Sequence, residues 1–143
     1  MKIGLLSDTH SHIDERITKH LEGCDEIWHA GDIGSLEVTD ELKKIAPLRA
    51  VYGNIDNSTI RSEFQRDHLF NLEGQTIWIT HMGGRPPKFA PGILKKLKEI
   101  RPNIFICGHS HILIAKGCPE FGGLHLNPGA AGLYGNHAVR TLM

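Results

Sequence analysis

The chain has 143 residues, sixteen acidic and sixteen basic, and a formal net charge of zero. That length suits one domain with a real core, and the balanced charge argues against a strong electrostatic footprint for nucleic acid or for an anionic membrane surface. No run approaches the roughly 18 apolar residues of a membrane span, and the apolar stretch before Ser7 is too short for a secretory h-region, so a cytoplasmic location with no membrane partner is expected.

In chain order, residues 2–7 read as the first strand. Ile13, Ile17 and Leu21 then recur every four residues, which marks a helix face, and Gly23 ends it. Residues 26–30 form the second strand. Leu36, Leu42 and Ile45 fit a helix that starts after Ser35 as N-cap and stops before Pro47. Residues 48–52 form the third strand, and the β-α-β-α-β order implies parallel strands with right-handed crossovers. Residues 68–72 and 75–80 read as a hairpin turned at Glu73-Gly74. Gly83-Gly84-Arg85-Pro86-Pro87 reads as an irregular loop at the rim of a site. Leu94, Leu97 and Ile100 mark a helix whose basic run, Lys95-Lys96-Leu97-Lys98, lacks interleaved aromatics and reads as a solvated face. Residues 104–107 are a short buried strand. Residues 112–116, 124–126 and 138–143 read as further strands, with Asn127-Pro128-Gly129 as a turn. Cys24, Cys107 and Cys118 are odd in number and widely spaced, and read as reduced thiols. The composition leaves a homo-oligomer open.

Ten histidines are many for this length, and their placement carries the functional argument. Leu5-Leu6-Ser7 runs into Asp8-Thr9-His10. Ile27-Trp28-His29-Ala30 runs into Gly31-Asp32. Ala50-Val51-Tyr52 runs into Gly53-Asn54. Ile77-Trp78-Ile79-Thr80 runs into His81, and Ile104-Phe105-Ile106-Cys107 into Gly108-His109-Ser110-His111. Each strand delivers Asp, Asn or His at its trailing end, where open α/β folds place their ligands. If the extended conformation persists past Gly108, His109 and His111 point the same way.

This set, Asp8, His10, Asp32, Asn54, His81, His109 and His111, resembles in order and spacing the calcineurin-like metallophosphoesterase family. The family patterns are Asp-x-His, Gly-Asp, Gly-Asn, a lone His, and Gly-His-x-His. The small size resembles its bacterial and archaeal phosphodiesterase branch, and Asn127-Pro128-Gly129 is a further echo. The resemblance implies an α/β fold over residues 1–143: an αββα sandwich of two mixed sheets packed face to face with helices outside. It further implies one metal held by Asp8, His10, Asp32 and His111, and another by Asp32, Asn54, His81 and His109, with Asp32 shared. Two ions roughly 3.5–4 Å apart can share a hydroxide that attacks phosphorus in line and can grip a phosphoryl group. Nitrogen and oxygen donors without thiolate favour two divalent ions of the Mn²⁺ type, with Fe, Ni, Co or Zn as substitutes.

The expected activity is therefore a dinuclear metal-dependent phosphodiesterase acting on a small phosphate ester, with Asn54 and His81 also holding the phosphate. One departure guides the choice of ester. Many monoesterases of the family have His after Gly-Asn, and here Gly53-Asn54 is followed by Ile55. Asp56 stands as a catalytic candidate that orients a ligand or a water, or as a turn cap. A phosphomonoesterase or nucleotidase with the same metals is the alternative enzyme. A protein-interaction scaffold, as in the retromer scaffold subunit, is the alternative class. Among the other histidines, His12 reads as exposed, His29 as a hydrogen-bonded core residue, and His125 as a rim candidate. His20, His68 and His137 have no partner pattern.

Overall fold

The computed structural model describes residues 1–143. Three parallel strands, β1 (Ile3–Leu6), β2 (Glu26–His29) and β3 (Leu48–Ala50), form one sheet in that order. The helices α1 (Glu15–Leu21) and α2 (Leu36–Ile45) make the crossovers, and α3 (Ser58–Glu63) follows β3. The second sheet contains β4 (Asp67–Leu72), β5 (Gln75–Thr80), β8 (Ile104–Ile106), β9 (Leu113–Cys118) and β10 (Gly123–Pro128), in the order β4-β5-β8-β10-β9. Its outer pairs are antiparallel and its inner pairs parallel. Between β5 and β8 lie the short pair β6 (Gly84–Arg85) and β7 (Lys88–Phe89), then α4 (Ile93–Ile100).

Alternation along the strands explains the layering. Successive side chains leave opposite faces of a strand, and here both faces are buried, so adjacent apolar residues serve different cores. Leu6, Ile27 and Ala50 pack with Ile17 and Leu21 of α1, Val38 and Leu42 of α2, and Ile60 of α3. Their neighbours Leu5, Trp28 and Val51 turn the other way and meet Ile77, Ile79 and Ile106 of the second sheet. Trp78 and Phe105, adjacent to those, pack with Leu97 of α4. Three stacked cores separate helix, sheet, sheet and helix, and the expected αββα sandwich is the observed architecture, with only the five-stranded sheet mixed and the three-stranded one wholly parallel. Truncating Trp78 or Phe105, both fully buried, to Ala should cost about 3–5 kcal/mol.

Several expectations are corrected in detail. Ile13 lies ahead of α1, because Asp14 is the N-cap and accepts from the Ile17 N–H at 3.0 Å. Ser35 stands at the N-cap of α2 without a side-chain cap bond. α3 is too short to carry a periodic signal in the sequence; its mark is Asn57, whose side chain accepts the Ile60 N–H at 3.1 Å. In place of an irregular loop over 83–87, Gly84–Arg85 pairs with Lys88–Phe89 across a turn at Pro86 and Pro87, which are joined by a cis bond. Asn127 and Pro128 belong to β10 and not to a turn. The last residues form no strand: Leu5 and Met143 exchange one reciprocal pair of backbone bonds at 2.7 and 2.8 Å beside β1. The three cysteines are free thiols. Burial pushes the Cys107 thiol up to about 12, as expected for an inert packing residue.

Candidate metal centre

All five expected strand-end segments converge at the trailing edges of the two sheets. The loops after β1 and β2 are zipped together by Asp8 N to Gly31 O at 2.9 Å and His10 N to Asp32 O at 3.0 Å. Those after β5 and β8 are joined by Gly108 N to His81 O at 3.0 Å. The two halves then meet at Asp8, whose Oδ2 accepts the Ser7 hydroxyl at 2.6 Å and the His109 N–H at 3.1 Å. The glycines of the motifs make room for this meeting. A Cβ at Gly31 would strike the His81 ring, at Gly53 the Asp32 carboxylate, and at Gly108 the Ser7 hydroxyl and the Asp8 carboxylate.

The backbone is held in an unusual state. Eight non-glycine residues have positive φ, and five of them are Asp8, His10, Asp32, His109 and His111. Left-handed conformations are uncommon for such residues and concentrate at functional sites. The extended geometry expected past Gly108 is thereby overturned. His109 and His111 do not point the same way but join different groups.

One group is Asp8, His10 and His111; the other is Asp32, His81 and His109; within each, one ligand atom per residue lies within 4.8 Å of the rest. Asp8 Oδ1 is 3.0 Å from His111 Nε2 and 3.9 Å from Nε2 of both His10 and His81. Asp32 faces both groups, with Oδ2 3.4 Å from His10 Nε2 and Oδ1 3.2 Å from His81 Nε2. Nε2 of His10 and of His81 are buried without a hydrogen-bond partner. A buried polar atom left unpaired is costly, and a divalent cation in each group would satisfy its unpaired nitrogen. The mixed imidazole and carboxylate donors fit such ions.

The electrostatics have the same sense throughout. Burial alone would raise the Asp8 carboxyl, but His10, His81, Ser7 and His111 outweigh it and hold it below its ordinary value. Asp32 is likewise raised by burial, but His81 and the Ile55 N–H together hold it below its ordinary value. The facing Asp8 and Asp32 carboxylates raise His10 above its ordinary value against its burial. His81 is lowered by burial and raised further by Asp32 and Asp8, ending above it. Two carboxylates stay charged and hold a positive partner, whether proton or metal.

Neighbouring groups fix the ring orientations. The His81 Nδ1–H donates to the Ala30 carbonyl at 2.7 Å, which turns Nε2 into the centre. His137, unassigned from sequence, proves to be part of the site. Its Nε2–H donates to the Gly132 carbonyl at 2.9 Å, so its Nδ1 accepts the Nδ1–H of His111 at 3.3 Å. Tyr134 stacks on His10 at 5.1 Å between ring centroids. No spacing rule could have found these two, since they come from the loop after β10.

The remaining candidates sort cleanly. Asn54 is exposed and lines a cavity with His81, and its carbonyl accepts from Arg61 at 3.2 Å. Asp56 is buried, and its carboxylate accepts the backbone N–H groups of Ile33, Gly34 and Gly53 at 3.1, 2.8 and 2.8 Å. It clamps the loop of Asp32 to the loop of Asn54, and these three bonds take up the carboxylate. His29 is buried, bonds Thr9 Oγ1 at 2.9 Å and accepts the Gly31 N–H at 3.1 Å, and burial lowers it to about 4. His125 is no rim residue: it is buried, stacked on Phe105 at 5.3 Å. His12 pairs with Asp14 at 3.0 Å rather than standing free.

Comparison with known proteins follows the same line. A model of the calcineurin-like phosphoesterase superfamily domain matches residues 1–143. A probable metallophosphoesterase of Methanothermobacter thermautotrophicus is 32% identical over 136 residues, covering 91% of this chain and 77% of that one. A solved structure described as a novel archaeal phosphodiesterase superposes with a TM-score of 0.73 at 26% identity, over 92% of this chain and 85% of that one. A single-substitution variant of Vps29 from Entamoeba histolytica has a TM-score of 0.78 at 21% identity, over 99% and 81% of the two chains, which is a likeness of fold.

Proposed function

The chain belongs to the calcineurin-like phosphoesterase superfamily, and from that premise we propose that it is a phosphodiesterase working with two divalent ions, Mn²⁺ first among them. The observation that carries the reading is Asp32, with one oxygen toward His10 and the other toward His81. A shared carboxylate between two donor groups suits a pair of ions and little else. The assignment gives Asp8, His10, Asp32 and His111 to one ion and Asp32, Asn54, His81 and His109 to the other. When bound, the ions supply Lewis acidity toward phosphoryl oxygens and acidify water.

The chain's own residues orient this chemistry. Ser7 and the His109 N–H hold one oxygen of Asp8 and leave Oδ1 facing the centre. The Ala30 carbonyl keeps the His81 Nε2 lone pair turned inward. Asn54 and His81 also hold the phosphate of the substrate at the metal centre, at the edge of the cavity they border. Asp56 keeps the Asp32 and Asn54 loops in register and is given a positioning role in place of a catalytic one.

The preference for diesters rests on Ile55. Its side chain is exposed, beside a backbone N–H that donates to Asp32 Oδ1 at 3.1 Å. An aliphatic group there offers no proton to a departing alkoxide. The likeness to the archaeal phosphodiesterase supports the same substrate class. The test is chelator-stripped protein reconstituted with Mn²⁺ and assayed on matched aryl diesters and alkyl monoesters. Higher kcat/KM for the monoester assigns the protein to the nucleotidase alternative.

A further inference from the structure

A cavity of about 200 Å³ opens beside the proposed phosphate position, lined among others by Tyr52, Asn54, Arg61, Arg66, His81 and Met82. Asn54 and His81 are candidate ligands, so a substrate held by them borders this space directly. Two arginines lie in one small pocket without a carboxylate to neutralise them. Acidic side chains pair elsewhere with Lys43, Lys44, Arg49, Lys96 and Arg140. Arg61 is anchored: its Nε–H donates to the Asp56 carbonyl at 2.7 Å, its Nη2 to the Asn54 carbonyl at 3.2 Å, and its guanidinium lies 4.9 Å from the Tyr52 ring centroid. That leaves Nη1 of Arg61 and the whole fork of Arg66 as uncommitted donors.

We propose that this pocket is a subsite for a second anionic group of the substrate, a carboxylate or phosphate carried a short linker away from the phosphorus at the metal centre. The proposal rests on the reading of that centre as the phosphate site. Its chemistry is that of arginine, whose planar fork matches a carboxylate or phosphate with two parallel bonds. The volume sets the length of the arm. Pockets for drug-sized ligands run to roughly 300–1,000 Å³, so this smaller one suits a short charged arm. Anchoring of Arg61 by two carbonyls means that little freedom is lost when the anion arrives. The substrate class thus narrows from any small diester to a diester whose short arm ends in a negative charge.

The test uses Mn²⁺-loaded protein and two phosphonates of nearly equal shape, 3-phosphonopropanoate and propylphosphonate, with binding followed by calorimetry. The wild type should bind the carboxylated compound about tenfold more tightly, equivalent to ~1.4 kcal/mol. Arg66→Gln should abolish most of that ratio, with an unchanged melting temperature as the control for folding; Arg66 is chosen because Arg61 also supports the Asn54 loop. Methylenediphosphonate against methylphosphonate, in the same two proteins, distinguishes a phosphate-bearing arm from a carboxylate-bearing one. Equal binding of all pairs by the wild type overturns the subsite and leaves the metal-centre reading intact. A preference that survives Arg66→Gln also overturns it, because the second anion is then held by metal. If no phosphonate binds, the phosphate site itself is wrong and the subsite falls with it. A preference that is lost in Arg66→Gln, in a protein that hydrolyses no diester, upholds the subsite and overturns the diesterase reading.

Discussion

Asp32 places Oδ2 3.4 Å from His10 Nε2 and Oδ1 3.2 Å from His81 Nε2, so a single carboxylate spans both donor groups. Asp32→Asn keeps the shape but removes the charge and one acceptor. Metal affinity should fall at both positions, by more than the roughly 10–100-fold typical of losing an outer partner. Elemental analysis after dialysis against graded Mn²⁺ reads the result. Two tightly held equivalents in the variant would show that Asp32 is not shared.

His137 should act through His111 alone. With Nε2–H committed to the Gly132 carbonyl, its Nδ1 accepts from His111, which leaves Nε2 of His111, 3.0 Å from Asp8 Oδ1, as the atom that would face a metal. His137→Ala should weaken one metal position by about 10–100-fold and leave the other unchanged. His137→Gln should recover much of the loss, because an amide can accept from His111 and donate to Gly132. Nitrogen-15 spectra of the imidazoles report the tautomer of His111 directly. An unchanged tautomer in His137→Ala refutes the role.

Metal should stabilise the protein more at pH 8 than at pH 6. The facing carboxylates of Asp8 and Asp32 raise both His10 and His81 against their burial, so both lie above the ordinary value of 6.5 in the metal-free protein. Protonation of these rings stabilises the metal-free fold below the unfolded pKa, and that contribution is lost as pH rises through the raised folded values. Metal needs the same rings neutral. The gain in Tm on adding Mn²⁺ should therefore grow across this window. Equal gains at both pH values would falsify the competition.

Ile55→His should narrow the gap between diester and alkyl monoester. The side chain at this position is 46% exposed, so the substitution disturbs no core. A positioned general acid is worth about 10²–10⁴-fold, but an imidazole on an unprepared surface should recover only part of that. The measurement is kcat/KM for both ester classes at saturating Mn²⁺. An unchanged ratio means that the residue after Asn54 does not set the preference.

Asp56→Asn should show first in stability. Its carboxylate accepts three backbone N–H groups from two loops, and an amide cannot accept all of them. A loss of about 1–3 kcal/mol is expected in urea unfolding of the metal-free protein. Wild-type stability combined with a large loss of kcat would restore Asp56 to a catalytic role.

The candidate donors were legible in the chain because each is local to a strand end, while their assignment as metal ligands is what the family resemblance implies. An apolar run followed by Asp, Asn or His is written in consecutive residues, and β-sheet periodicity places that residue at the sheet's edge. The sandwich itself was legible only through resemblance, since short apolar strands do not say which face meets which layer. Tertiary structure decided everything that depends on two loops meeting. The left-handed turns at His109 and His111 are how neighbours two residues apart reach different donor groups, a division that the resemblance implies but an extended strand end would not give. Asp56 found its partners at Ile33 and Gly34, over twenty residues away, and became a clamp. His137 reached His111 from beyond the last strand, a contact that no spacing encodes. Local hydrogen bonds and periodicities follow from consecutive residues, whereas the orientation of a ring or a carboxylate follows from what the rest of the chain brings against it.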